Sequence, residues 1–140
     1  MQSSIEVDGV GRLSHLGRSK HWTGRLQLAG VDEPVELSVA GTPDGPTAAQ
    51  VEAIVALVAH SSTLRRDAEA GLADLLVEAE MPPSSVWKVF DFAEIEVPHE
   101  TYDPSAIHVL VGLEHVDYPD EFRPAIDVVN GVVVQVLSGT

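Results

Sequence analysis

Along the first forty residues apolar and polar positions alternate with a period of two, the spacing that puts every second side chain on one face of a strand. Ile5 and Val7 oppose Glu6 and Asp8; Trp22, Gly24, Leu26 and Leu28 oppose Thr23, Arg25 and Gln27; Val35, Leu37 and Val39 oppose Glu36 and Ser38. Three strands are predicted, each with one dry and one wet face. Residues 29–34, between the second and third, include Gly30, Asp32 and Pro34, turn formers that fold the pair into a hairpin. On its wet face Arg25 comes beside Glu36, with Glu6 as a further candidate, a cross-strand charge match that contributes roughly 0.2–1 kcal/mol.

After the breaker Thr42-Pro43-Asp44-Gly45-Pro46 the spacing becomes helical. Thr47 with Gln50 three residues on is a capping box, in which hydroxyl and amide each satisfy the other residue's backbone N–H. Val51, Ile54, Val55 and Val58 form the predicted buried stripe, which ends near His60. A second helix begins at residues 61–63, buries Leu64, Ala68, Leu72, Leu75 and Leu76, and closes before Pro82-Pro83. The two stripes form an αα-hairpin able to cover the dry face of the sheet.

Alternation then returns. Ala93, Ile95 and Val97 alternate with Glu94 and Glu96, and Ile107, Val109, Val111 and Leu113 with His108, Leu110, Gly112 and Glu114. Residues 125–129 and 132–137 flank Asn130-Gly131, the strongest short hairpin signal, because both residues tolerate the positive φ of a type I′ turn. The expected order is β-β-β-α-α-β-β-β-β, an α+β fold with a mainly antiparallel sheet and the αα-hairpin packed on one face. Residues 1–140 read as a single domain.

Charge adds a division along the chain. Residues 1–66 hold seven acids and six bases, whereas residues 67–140 hold fifteen acids and two bases. A net charge of −14 repels phosphate backbones and attracts basic partners, so nucleic-acid binding is not expected. The alternative meaning of the charge is solubility alone. The chain has no cysteine, hence no thiol chemistry, which fits a reducing cytoplasm. The first ten residues lack the basic start and apolar run of a secretory signal, and no apolar stretch suits a membrane span. The expectation is a cytoplasmic protein that meets no membrane.

Known chemical motifs are missing. Gly9-Val10-Gly11 is followed by Ser14 where a dinucleotide fingerprint needs its third glycine, so it reads as a bend or strand break. No Walker or Gly-x-Ser-x-Gly sequence occurs. His15, His21, His60, His99, His108 and His115 show no helical metal-ligand spacing, and no catalytic, cofactor or metal residue is assigned. Glu94 and Glu96 share a strand face, as an acid–base pair would, but a wet sheet face also carries such pairs as solvated charge. Trp22 and Trp87 read as core anchors, each needing an N–H acceptor.

The most unusual stretch is residues 114–124, Glu-His-Val-Asp-Tyr-Pro-Asp-Glu-Phe-Arg-Pro. Glu114, Asp117, Asp120 and Glu121 flank Tyr118 and Phe122 in a loop stiffened by prolines, a makeup suited to gripping a basic protein with an aromatic anchor. The competing reading is a solvated connection whose aromatics fold back on the core.

Trp22-Thr23-Gly24-Arg25-Leu26 opening a hairpin, Val86-Trp87-Lys88-Val89 ahead of a strand, and the final Asn-Gly hairpin together carry a resemblance. The chain resembles small bacterial domains of unknown function of the toxin-immunity-like type. Glu114-His115 and Glu121 would match the acidic, histidine-containing stretch of such domains, while Gly112 and Leu113 depart from the cysteine and tryptophan found near it there. The resemblance implies a non-enzymatic binder that neutralises a basic toxin. The alternative class is a small-molecule-binding module or small enzyme whose site is assembled only in the fold.

Overall fold

The order of elements is β1 (Gln2–Val7), β2 (Gly11–Leu16), β3 (His21–Leu26), β4 (Val35–Ala40), α1 (Ala48–Ala59), α2 (Ser61–Glu78), α3 (Val86–Val89), β5 (Phe90–Val97), β6 (His108–His115), β7 (Ala125–Val129) and β8 (Val132–Leu137). The computed structural model describes residues 2–16, 21–81 and 85–138. Among them, eight strands form one sheet whose spatial order follows the chain from β1 to β8. Neighbours run antiparallel except β4 and β5. Those two are joined through all three helices, and a parallel return needs such a crossover where an antiparallel neighbour needs only a turn. The class is α+β with a mostly antiparallel sheet, in the predicted order of strands and helices with one strand and the short helix α3 added.

The added strand is β2. Gly9-Val10-Gly11 is the bend of a β1–β2 hairpin, with Val10 N–H donating to Val7 O at 3.0 Å. Residues 12–15 carry one deeply buried apolar side chain, Leu13, so their period was too faint to read. Elsewhere the alternation holds. Leu26 and Trp22 on β3, Val35, Leu37 and Val39 on β4, and Val109, Val111 and Leu113 on β6 are buried, together with Ile54, Leu72, Ile126 and Val128. Arg25 faces Glu36 in register, as expected, whereas Glu6 is taken by Arg12 at 2.9 Å.

The capping box on α1 forms as predicted, but the helix buries a different face. Gln50, Ala53, Ile54 and Leu57 are buried, and Val55 is 39% exposed. Apolar residues surround this helix almost completely, so their spacing does not select a side. Gln50 does: beyond the cap, its amide donates to Ala40 O at 2.9 Å and Pro98 O at 3.3 Å, drawing that side inward. On α2 the stripe Leu64, Ala68, Leu72 and Leu76 is buried as expected, with Leu75 half-buried. The expected stop at Pro82-Pro83 lies outside the described residues. α2 lies against β8 and α1 against β6. No described helix is long and apolar enough to cross a membrane.

The β7–β8 hairpin turns on Asn130 (φ 52°) and Gly131 (φ 79°). Space as well as φ demands glycine at the second position: a Cβ there would lie 2.4 Å from His60 Cδ2 and 2.8 Å from Ala56 O. Both tryptophans find acceptors. Trp22 Nε1 donates to Thr42 O at 2.8 Å and Trp87 Nε1 to Arg65 O at 3.1 Å.

Candidate functional site

β6 ends in a buried histidine, and the acidic loop is built around it. His115 N–H donates to Phe122 O at 3.1 Å and Leu113 N–H to Pro124 O at 2.8 Å, pinning the two ends of the loop together. Within it Tyr118 O accepts from Glu121 N–H (3.2 Å) and Phe122 N–H (3.0 Å), and Val116 N–H reaches Val89 O at 2.8 Å. His115 Nδ1 accepts from Asp117 N–H at 3.1 Å, which places the ring proton on Nε2. The ring meets Phe90 edge-on at 5.6 Å and lies 5.2 Å from Tyr118. The loop is therefore ordered by its own backbone rather than left slack, which lowers the entropy lost on binding.

Its side chains divide. Phe122 folds back onto the core, 5.6 Å from Phe90, whereas Tyr118 stays 43% exposed. Asp117, Asp120 and Glu121 are exposed and Glu114 is half-buried. The fold then adds carboxylates that the linear sequence did not single out. Asp91 on β5 lies directly opposite Glu114, and both line a cleft of about 400 Å³ with Asp32 and Glu33 from the β3–β4 turn. The same cleft holds Trp87 and Phe92, stacked at 5.7 Å, and the Arg65 guanidinium 5.7 and 5.5 Å from their ring centres. None of the four carboxylates forms an ion pair among the described residues. Like charges directly opposite on a sheet cost stability. The one faint sequence signal was Asp32-Glu33 next to Pro34 in a turn.

A second histidine cluster sits at the other end of β6 and was also missed. His108 Nδ1 donates to Asp127 Oδ1 and Nε2 to Asp103 Oδ2, each at 2.7 Å. Gln135 Nε2 donates to Asp127 Oδ2 at 2.8 Å, Ser105 N–H and hydroxyl donate to Asp103 Oδ1 at 2.9 and 2.7 Å, and Tyr102 meets the imidazole edge-on at 5.4 Å. Hydrogen bonds to Asp103 and then Asp127 raise the His108 pKa above 6.5, and the Ser105 hydroxyl, followed by His108, lowers Asp103 to about 2. With both nitrogens donating, the ring has no lone pair for a proton or a metal. This cluster is a clamp that ties residues 103–105 to β7 and β8. The sequence signal was Asp127, a charge at 0% exposure inside an apolar strand.

The remaining candidates stay apart. Glu94 and Glu96 are exposed on β5, Glu94 4.0 Å from Arg123. His15 packs on Trp22 at 4.2 Å, and His108 and His115 lie seven residues apart on opposite faces of β6. Among the described residues no three His, Asp or Glu side chains are arranged to hold a metal ion. Comparison with protein-family models, with curated proteins and with solved structures gives no match, so the chemistry of this chain is read from its own geometry.

Proposed function

We propose that this chain is a non-enzymatic, cytoplasmic protein-binding domain that captures a basic partner, in the manner of an immunity protein neutralising a toxin. The contact surface runs from Asp32 and Glu33 over Asp91 and Glu114 to Asp117, Asp120 and Glu121, with Tyr118 as its apolar anchor. In this reading the α1–α2 pair would pack as a hairpin on one face of the sheet and act as the rigid back of this surface. The observation that carries the reading is the Asp91–Glu114 pair, register partners across β5 and β6 of which neither forms an ion pair among the described residues, although Arg65 lines the same cleft. Such an arrangement weakens the free protein and is relieved when a lysine or arginine of a partner enters.

The test is a pull-down from the source organism's lysate with the wild-type chain and with Asp117→Lys/Glu121→Lys, followed by association kinetics on the recovered partner. A basic partner should be lost with the double variant and should associate more slowly as salt rises, because attraction is screened over roughly 8–10 Å at physiological ionic strength. Equal recovery by both chains, or a rate indifferent to salt, overturns the proposal.

A further inference from the structure

The sheet face turned away from the core carries a second charged feature, built differently. Arg12, Ser14, Thr23, Gly24, Arg25, Glu36, Ser38 and Glu94 line an open cleft of about 880 Å³. Short side chains make its floor and long charged ones its walls. Ser14 pairs directly with Thr23, and Thr23 with Ser38, so three hydroxyl residues lie side by side across β2, β3 and β4. Gly24 is required by the close approach of β2, since a Cβ would sit 2.7 Å from both Arg12 O and the buried Leu13 Cδ2. The volume falls within the roughly 300–1,000 Å³ of small-ligand sites.

Charge is sorted within the cleft. Residues 12–25 carry four of the chain's eight bases and none of its twenty-two acids, and two of those bases, Arg12 and Arg25, form one wall. Glu36 and Glu94 form the other, and they are direct partners in the parallel β4–β5 register. Arg25 is the register partner of Glu36, yet the two make no ion pair within 4.0 Å. Among the described residues Glu94 has only Arg123 as an ion-pair partner, at 4.0 Å, and Arg12 holds Glu6 at 2.9 Å through side chains about 70% exposed, a surface pairing of little strength. One wall therefore presents guanidinium N–H donors, those of Arg25 in no ion pair among the described residues and only one of Arg12's engaged by Glu6, and the other presents two neighbouring carboxylates that repel.

We propose that this cleft binds a small dipolar ligand, with an oxyanion held by Arg12 and Arg25 and an ammonium group set between Glu36 and Glu94. Guanidinium forks suit planar or tetrahedral oxyanions, which take two parallel hydrogen bonds from one arginine. The Ser14, Thr23 and Ser38 hydroxyls supply further donors or acceptors along the floor. The oxyanion is a phosphate or a carboxylate, two sources of the same chemistry. The cleft meets the acidic loop at the Arg123–Glu94 contact but shares no lining residue with the partner surface proposed above, so each proposal stands or falls alone.

The experiment is a titration of the full chain followed by amide NMR shifts, with O-phosphoethanolamine and β-alanine as dipolar probes and inorganic phosphate, propionate and ethylamine as their anionic and cationic halves. At least one dipolar probe should bind about tenfold or more tighter than either half, with shifts centred on β2 to β5, and whichever dipolar probe is tighter identifies the oxyanion. Arg25→Gln and Glu36→Gln should each weaken it by about tenfold with the fold intact by melting curve, while Asp91→Asn leaves it unchanged. Failure of both dipolar probes to saturate at about 10 mM, or equal binding by Arg25→Gln, Glu36→Gln and the wild type, overturns the proposal.

Discussion

The two ends of β6 treat a histidine and its carboxylates in opposite ways. At the start of the strand His108 lies between Asp103 and Asp127, each 2.7 Å away, and every charge in the cluster has a partner. At its end His115 is enclosed by Phe90, Tyr118 and Phe122, accepts from a backbone N–H, and leaves the carboxylates around it facing solvent. The first end spends its charge on holding the fold together; the second withholds charge from the fold and keeps it available. Satisfied polar clusters rigidify a protein, and unsatisfied ones cost it stability, so the place where cost is tolerated is the place to look for binding.

The largest way to break this contrast is Asp127→Ala. It leaves His108 Nδ1 and the Gln135 amide without acceptors at a site with 0% exposure, and should destabilise by about 3 kcal/mol in urea unfolding. A loss under about 1 kcal/mol would remove the clamp from the account. The same end of β6 can be disturbed through the hairpin that carries Asp127 and Gln135. Gly131→Val forces a branched side chain into φ 79° and into contact with His60, and should cost about 2 kcal/mol or more. An unchanged melting temperature would mean that the turn is not as described.

Acidity should then separate the two ends. His108 has a folded pKa above its ordinary 6.5, so the stability it contributes is full below 6.5 and is lost as pH rises through the raised value. Asp103 is lowered from 3.8 to about 2, so its contribution is full above 3.8 and is lost as pH falls toward 2. Melting temperature followed from pH 6 to pH 9 should fall in the wild type, and His108→Gln should flatten the His108 part of that fall. A variant that retains the full slope would assign the titration to another group. The smallest effect has the opposite sign. Asp91→Asn relieves the repulsion with Glu114 and should stabilise the free chain by about 0.3 kcal/mol while slowing association with a basic partner. Destabilisation by this change would show that Asp91 supports the fold.

Sequence spacing was sufficient for the elements whose side chains alternate strongly. β4, β6 and α2 bury the residues their periods select, the capping box closes on Gln50, and Asn130-Gly131 turns the last hairpin. It was insufficient where the pattern was faint or saturated: residues 12–15 of β2 have Leu13 as the one deeply buried apolar side chain, and α1 is apolar on nearly every side. The acidic loop with Glu114, Asp117, Tyr118, Asp120 and Glu121 was legible because its residues are contiguous. Asp32, Glu33 and Asp91 were not, since the first two come from a turn and the third from a strand that returns only after three helices.

The local chain geometry sets a period of two or of 3.6 for every sequence, so alternation, caps and turns can be decided residue by residue from the sequence alone. Which strand lies beside which, and in what register, depends on how the whole core packs. That register alone brings Asp127 opposite Gln135 and within reach of His108, Asp91 opposite Glu114, and Glu36 beside Glu94. These charge clusters join residues far apart in the chain, and only tertiary structure could decide which of them would be paired and which left open.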